Sequence, residues 1–400
     1  MLPLDDLLVL DLSRVLAGPY CSMYLGDLGA RVIKIERPGE GDDTRGYGPP
    51  FVQGESTYFL SINRNKESVA IDFKQSRGRA LIEKLAERAD VLVENFRPGV
   101  LERLGLGPAD ALARNPRLIY VSVTGYGHAG LPEYTRRPGY DLIMQGEGGL
   151  PSLTGPADGA PFRVGVPIAD LAAGLYALAG TLVALHARTR TGRGQHVDVS
   201  LLDGQISLLT YQAGIAFATG QAPARMGNAH PSIVPYETYQ ALDGFINLAC
   251  GNDALFQAFA EAAGRPELPK DPRFAKNADR VRNRAALDEL LVPLLKTRPV
   301  AEWLQRCDRA GVPCGRIASV TEALAHPQVQ ARGMVRTVDH PTAGRLALAG
   351  VPMRLSETPG AIRRPAPRLG EHTRRALQDL LSLADSELDD LARARVIEAC

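Results

Sequence analysis

The sequence has little of several things that would identify it quickly, and each shortage excludes a class of protein. Its five cysteines, Cys21, Cys250, Cys307, Cys314 and Cys400, are scattered and odd in number. They form neither a disulfide framework nor a CxxC metal site, a pattern suited to a reducing cytoplasm. The seven histidines make no HxxxH or HxxE cluster, so no metal site is expected. An excess of one charge is also missing: 46 Lys and Arg against 45 Asp and Glu leave a formal net charge of +1. That balance gives no electrostatic reason to expect nucleic acid or an anionic membrane as partner. No apolar run reaches the length of a membrane span. Residues 171–185 come nearest, but Asp170 and His186 bracket them, and a buried core helix is expected there. Met1–Asp6 has no basic region ahead of an apolar run, so no secretory leader is expected. No internal repeat or low-complexity segment appears.

The common nucleotide and hydrolase signatures are absent too. The turn Ser13-Arg-Val-Leu-Ala-Gly18 has one glycine where the dinucleotide fingerprint needs three. Gly146-Glu-Gly-Gly149 runs into Leu-Pro and not into the Lys-Ser/Thr of a P-loop, so it reads as a flexible turn. No Gly-x-Ser-x-Gly elbow supports a serine triad. His230 lies in the loop Arg225–Pro231, where a structural hydrogen-bonding role is expected of it, and His128 lies in a glycine-rich turn suited to lining a cleft.

What the sequence does contain is alternation. Short apolar runs at Leu7–Leu12, Arg31–Glu36, Ser68–Phe73, Asp90–Asn95, Leu118–Thr124 and His196–Ser200 read as strands. Helical segments lie between them, one opened by Pro19 and one over Arg77–Arg88. This is the pattern of βαβ units with a mainly parallel sheet, an α/β fold with a Rossmann-like large domain. Four hundred residues exceed one ordinary core, so a second, smaller domain is expected. The texture changes near Gly220. Arg225–Tyr239 reads as a linker or covering loop, and a smaller α/β unit follows, with a strand at Phe245–Cys250 and helices near Ala254–Ala263, Arg284–Leu295 and Ala301–Ala310.

In open parallel sheets, ligands bind beyond the carboxyl ends of the strands. Arg37, Asn65, Lys66, Asn95, Phe96, Arg97 and Arg103 lie near predicted strand ends. Guanidinium, ammonium and aromatic groups together suit an anionic, nucleotide-like ligand. Asp170 is the only charge where the small-residue stretch Val164–Ala169 runs into the long apolar helix. Aspartate is a good helix N-cap, and capping is the plainer reading. A carboxylate at a helix N-terminus is also favoured in its ionised form, which would keep it ready as a nucleophile.

Several motifs resemble those of the family III CoA-transferases. They are Leu10–Pro19, Val32–Gly39 with Gly41-Asp42, Asn63–Lys66, Val93–Gly99, Thr124–Gly127, Asp170, Thr191–Gln195 and Gly370–His372, and they run across nearly the whole chain. The resemblance implies an interlocked homodimer. It implies a large domain made of residues 1–200 and 326–400, a linker at 201–224, and a small α/β domain at 225–325. It implies a coenzyme A site drawn from Val15, Leu16, Ala17, Arg37, Asn65, Lys66, Asn95, Phe96, Arg97, Arg103 and Tyr140, and a catalytic nucleophile, Asp170. The partners implied are an acyl-CoA donor and a small carboxylate acceptor. The coenzyme A thioester acts as co-substrate, with no permanently bound cofactor. Racemase relatives carry a histidine where this chain has Tyr140 before Asp141, which argues against racemisation as the alternative activity. Formyl-CoA transferases carry a glutamine where this chain has Leu16. The segments Arg225–Tyr236 and Gly251–Asp253 look most like the branch that uses succinyl-CoA and dicarboxylates. A dicarboxylate needs a cation for its distal end, and Arg14, Arg64, Arg136, Arg137 and Arg225 are the candidates.

Overall fold

The structure, a computed structural model, describes residues 1–400. It divides into two compact units. The larger is made of Met1–Leu150, Val164–Gly214 and Gln328–Cys400, and the smaller of Pro151–Arg163 and Ile215–Pro327.

The larger unit is organised by a seven-stranded sheet. Its strands β1 (Leu8–Asp11), β2 (Arg31–Glu36), β3 (Lys66–Ile71), β4 (Val91–Glu94), β5 (Ile119–Thr124) and β6 (Gln195–Ser200) lie in the spatial order β3-β2-β1-β4-β5-β6. All six are parallel to their neighbours, and the C-terminal strand Ile397–Glu398 closes the β3 edge antiparallel. This order reverses direction between β1 and β4, the switch point where open α/β sheets form a ligand crevice. Register places Leu10 beside both Ile33 and Leu92, so the central strands are buried on both faces, as their near-continuous apolar sequences require. The connecting helices that matter here are α1 (Ala17–Asp27), α2 (Thr57–Ile62), α3 (Ser76–Arg88), α4 (Pro108–Arg114), α5 (Asp141–Glu147) and α6 (Ile168–Thr191).

Strand β3 begins two residues earlier than the apolar run suggests. Lys66 is fully buried and ion-paired to Asp11 at 3.0 Å, and the buried Ser68 hydroxyl donates to Glu36 at 2.6 Å. Charged and hydroxyl groups that find partners inside the sheet extend the strand without extending its hydrophobic pattern. Helix α6 is also longer than residues 171–185, and by length and composition it is apolar enough to cross a membrane. Here it packs on α1, β5 and β6. Arg188, near its C-terminus, pairs with Asp90 at 3.0 Å, while Leu175, Tyr176 and Val183 stay exposed.

The expected linker at 201–224 is largely helical, with helices at Leu201–Leu208 and Thr210–Thr219. Ser200 closes β6 and also caps the first of these helices, its hydroxyl accepting from Asp203 N–H at 3.1 Å, so no connecting residues are needed. In the smaller unit, Tyr236–Gln240 is a strand inside what reads as a loop. It pairs with Phe245–Ala249, which pairs in turn with Cys314–Arg316, an antiparallel sheet of three. Pro151–Arg163 belongs to this unit and not to the large one. The return segment folds as an antiparallel strand pair, Val335–His340 with Gly344–Ala349.

Candidate active site

A cleft of about 460 Å³ opens beyond the carboxyl ends of β1, β4 and β5. Its walls are the turn Arg14–Ala17 after β1, Asn95–Pro98 with Val100 after β4, Val123–Gly125 at the end of β5, the loop Arg137–Tyr140, and Asp170 at the start of α6. The site therefore sits at the switch point that the strand order defines.

The turn after β1 is held in a costly conformation. Val15 has φ of +67°, rare for a β-branched residue. Three groups pin it. The Asn95 side chain accepts from Arg14 N–H at 2.8 Å and donates to Arg14 C=O at 2.6 Å. Asp42 accepts from Val15 N–H at 3.3 Å, and the buried Lys34 ammonium donates to Ser13 C=O at 3.0 Å and pairs with Asp42 at 2.8 Å. Burial alone would raise the Asp42 carboxyl, but Lys34 and Thr44 outweigh it and hold the group down at about 2. The strain of such a residue, of order 1–3 kcal/mol, persists because these partners over-determine it. The turn leads straight into α1, whose first N–H groups have no partner within the helix and open toward the cleft beside Leu16 and Ala17.

Helix α6 starts at Ile168 with Pro167 as its N-cap and no side-chain cap, which places Asp170 inside the first turn. Capping falls instead to Asp141, the first residue of α5. Its carboxylate accepts from Ala169 N–H at 2.9 Å and from the Gln145 amide at 2.8 Å. Asp170 is released from that role and faces the cleft. Its carboxyl is pushed up to about 7, first by burial and then by the negative charge of Asp141. This reverses the expectation that the helix N-terminus would hold it ionised. Desolvation beside a second carboxylate outweighs the helix dipole. Helix α6 can approach α1 because residue 174 is glycine: a Cβ there would stand 2.7 Å from Ala17 O. The nucleophile candidate and the free N–H groups of α1 are thereby brought to the same wall. The half-buried Tyr58 hydroxyl on α2 is pushed up to about 12 by burial and by the Asp170 charge, so it stays a proton donor at neutral pH.

A second pocket of about 270 Å³ adjoins the first through Arg14, Phe96 and Val100. Arg37, Phe73, Lys74 and Leu104 also line it, and the Phe73 and Phe96 rings meet edge to face at 6.0 Å. Aromatic faces flanked by an ammonium and a guanidinium suit a nucleotide with its phosphates.

The structure gathers most of the expected ligand residues and removes three. Val15, Leu16, Ala17, Asn95, Phe96, Arg97 and Tyr140 line the cleft, and Arg37 lines the second pocket, ion-paired to Glu40. Asn65 and Lys66 do not reach either. They lie at the amino end of β3, both buried. The Asn65 amide group donates to Asp27 at 2.7 Å and to Ala361 C=O at 2.8 Å, while the Lys66 ammonium donates to Asp11, Pro19 C=O and Asn63. Burial is the leading cause that pushes the Lys66 ammonium down to about 8. Arg103 is exposed in the turn beyond β4 and lines neither space. Phe73 and Lys74 were missed. They follow the carboxyl end of β3, so the strand-end rule finds them once that strand's boundary is set at Ile71. Asp141 and Tyr58 had no sequence signal of their own.

A parallel sheet with its crevice at the switch point, a strained turn at the mouth and a largely buried carboxyl facing inward fit an acyl- or nucleotide-handling α/β enzyme. The chain belongs to CoA-transferase family III, whose profile matches residues 4–373. It is 43% identical over 399 residues to the mouse succinyl-CoA:glutarate CoA-transferase, covering 100% of this chain and 91% of that protein. It is 45% identical over 372 residues to the acetyl-CoA:oxalate CoA-transferase of Acetobacter aceti, covering 92% and 93% of the two. The crystal structure of a CAIB/BAIF family protein from Brucella suis superposes with a TM-score of 0.83 at 44% identity, covering 95% of this chain and 99% of that one.

Proposed function

We propose that this CoA-transferase moves coenzyme A from succinyl-CoA to a short dicarboxylate, with Asp170 as the covalent carrier. The observation that carries the proposal is Asp170 itself: a carboxyl with its value near 7, freed from capping by Asp141, in a cleft whose same wall carries the first N–H groups of α1. The dicarboxylate acceptor rests on the relatives, whose acceptors are glutarate and oxalate. Because the donors and the acceptor lengths of those two relatives differ, the chain length of the acid is set by the cleft and not by family membership.

The steps follow from the groups present. An Asp170 oxygen attacks the donor thioester carbonyl, giving a mixed anhydride and releasing coenzyme A as thiolate. The thiolate attacks the Asp170 carbonyl, releasing succinate and leaving an aspartyl-CoA thioester. The acceptor carboxylate attacks that thioester, forming a second anhydride and freeing the thiolate again. The thiolate then takes the acceptor's acyl group and restores the Asp170 carboxylate. Covalent catalysis divides one difficult exchange into easier ones. Each addition develops an oxyanion, for which the first N–H groups of α1 are the available donors.

Racemisation is the poorer reading because no histidine is among the residues lining the cleft, and Tyr140 stands exposed where an acid/base would be needed. The assembly that fits is a homodimer. Leu175, Tyr176 and Val183 on α6, with Ile206 and Tyr211 on the helices after β6, form an exposed apolar set that a second copy would cover.

The test is chemical trapping. Incubated with succinyl-CoA alone and reduced with borohydride, the protein should carry its modification at Asp170 by mass spectrometry. Asp170→Ala should abolish transfer while coenzyme A still binds. Retained turnover in that variant would refute the mechanism, and loss of an α-deuterium from the substrate without CoA transfer would favour the racemase.

A further inference from the structure

Five arginines were candidates for reading the distal carboxylate of a dicarboxylate, and the structure separates them. Arg64 is buried and held by Asp27 through contacts of 2.9 and 2.7 Å. Arg225 donates to the carbonyls of Pro156 and Gly159. Arg136 is not among the cleft residues. Arg14 lines the cleft, but Asp43 neutralises it at 3.0 Å and it lies over the Phe96 ring, on the side of the nucleotide-shaped pocket. Arg137 remains.

We propose that Arg137 is the specificity residue that binds the distal carboxylate of the acid being loaded and unloaded at Asp170. This rests on the dicarboxylate reading given above. Three features support it. Arg137 lines the same cleft as Asp170 and forms no ion pair with a carboxylate within the chain. Its guanidinium lies over the Tyr134 ring at 4.3 Å and close to the Tyr126 hydroxyl, which itself donates to Glu147 at 3.0 Å. These contacts orient the fork and leave its charge available for a carboxylate. Its loop is also tied to the reacting end of the cleft. Gly139 packs so closely on Gly125 that a Cβ on Gly125 would stand 2.7 Å from Gly139 Cα, and two residues later Asp141 caps the helix that carries Asp170. Arg97, the other unpaired cation of the cleft, belongs instead to the Phe96–Pro98 wall next to the second pocket, where phosphates would lie.

The charge pattern explains why such a residue is needed. Asp170, with the charge of Asp141 beside it, makes that end of the cleft acidic, and a second carboxylate on the substrate would be repelled from it without a counter-charge. A site built to bind a charged group rejects the analogue that lacks it, because its own polar groups are then left unpaired.

The experiment compares glutarate with pentanoate, which has the same carbon chain and a methyl in place of the distal carboxylate, at saturating succinyl-CoA. In Arg137→Gln, kcat/KM for glutarate should fall roughly 10- to 100-fold, the worth of one charge-assisted hydrogen-bonded contact. The small activity with pentanoate should be unchanged, the Kd for free coenzyme A should be unchanged, and Arg137→Lys should recover part of the glutarate activity. Equal losses for both acids, or weakened binding of free coenzyme A, would overturn the assignment, the latter by placing Arg137 on the coenzyme. A wild-type enzyme that uses pentanoate as well as glutarate would sink the dicarboxylate reading and the assignment with it. A wild type that discriminates, with an Arg137→Gln variant that discriminates equally, would sink the assignment alone.

Discussion

Replacing Asp170 with asparagine should inactivate the enzyme and stabilise it, and the gain should depend on pH. The carboxyl's ordinary value is 3.8, and burial beside Asp141 raises it to about 7 in the folded protein. The difference is roughly 3 units, and at about 1.36 kcal/mol each it amounts to about 4 kcal/mol of preference for the protonated form. Asp170 keeps partial contact with water, and screening reduces the usable figure to about 2 kcal/mol. Between these two values the folded chain holds a proton that the unfolded chain has lost. Wild-type stability therefore falls as pH rises from about 4 to 7, and the penalty is complete above that. Asparagine carries no charge and escapes it. Asp170→Asn should match the wild type near pH 4 and exceed it by about 2 kcal/mol near pH 8, which corresponds to several degrees in Tm for a unit of this size. Thermal unfolding of both proteins without coenzyme A, at about pH 5 and pH 8, measures the difference. An equal shift at both pH values, or a less stable variant at the higher one, would refute the reasoning. The expected result is a stability–activity trade-off located at one carboxyl.

The same carboxyl sets the pH dependence of the first half-reaction. Its single-turnover rate with succinyl-CoA should rise with pH about a midpoint near 7, and Asp141→Asn should move that midpoint to lower pH, because a negative neighbour is removed. An unmoved midpoint would show that burial alone raises the group. Gly174→Ala should cost about 1–3 kcal/mol and reduce kcat, since its Cβ would press on Ala17 O at 2.7 Å and push α1 from Asp170. Melting and steady-state kinetics check this, and an unchanged Tm would mean the helices separate freely.

Much of this protein is legible in its sequence. The alternation of apolar runs placed all six parallel strands to within two residues at their ends. Strand β3 and the segment at 201–224 were set wrongly for physical reasons. Buried ion pairs hide a strand from a hydrophobic pattern, and a serine that ends a strand can also begin a helix. Several of the motifs that resemble family III CoA-transferases meet where the crevice forms, at Arg14–Ala17, Asn95–Arg97 and Asp170.

The roles of individual charges were decided only in three dimensions. Asn65, Lys66 and Arg37 look alike as polar residues near strand ends. The tertiary structure buries the first two at the amino edge of the sheet and leaves the third at the carboxyl edge. Asp170 and Asp141 are 29 residues apart in sequence, and nothing local says which of them caps α6. Folding brings Asp141 onto Ala169 N–H, and the carboxylate that sequence rules assign to capping becomes the largely buried one that faces the cleft. A sequence sets which groups are available and the period that folds them. Burial and the charge of a distant neighbour, which only the assembled fold supplies, set what each group can do.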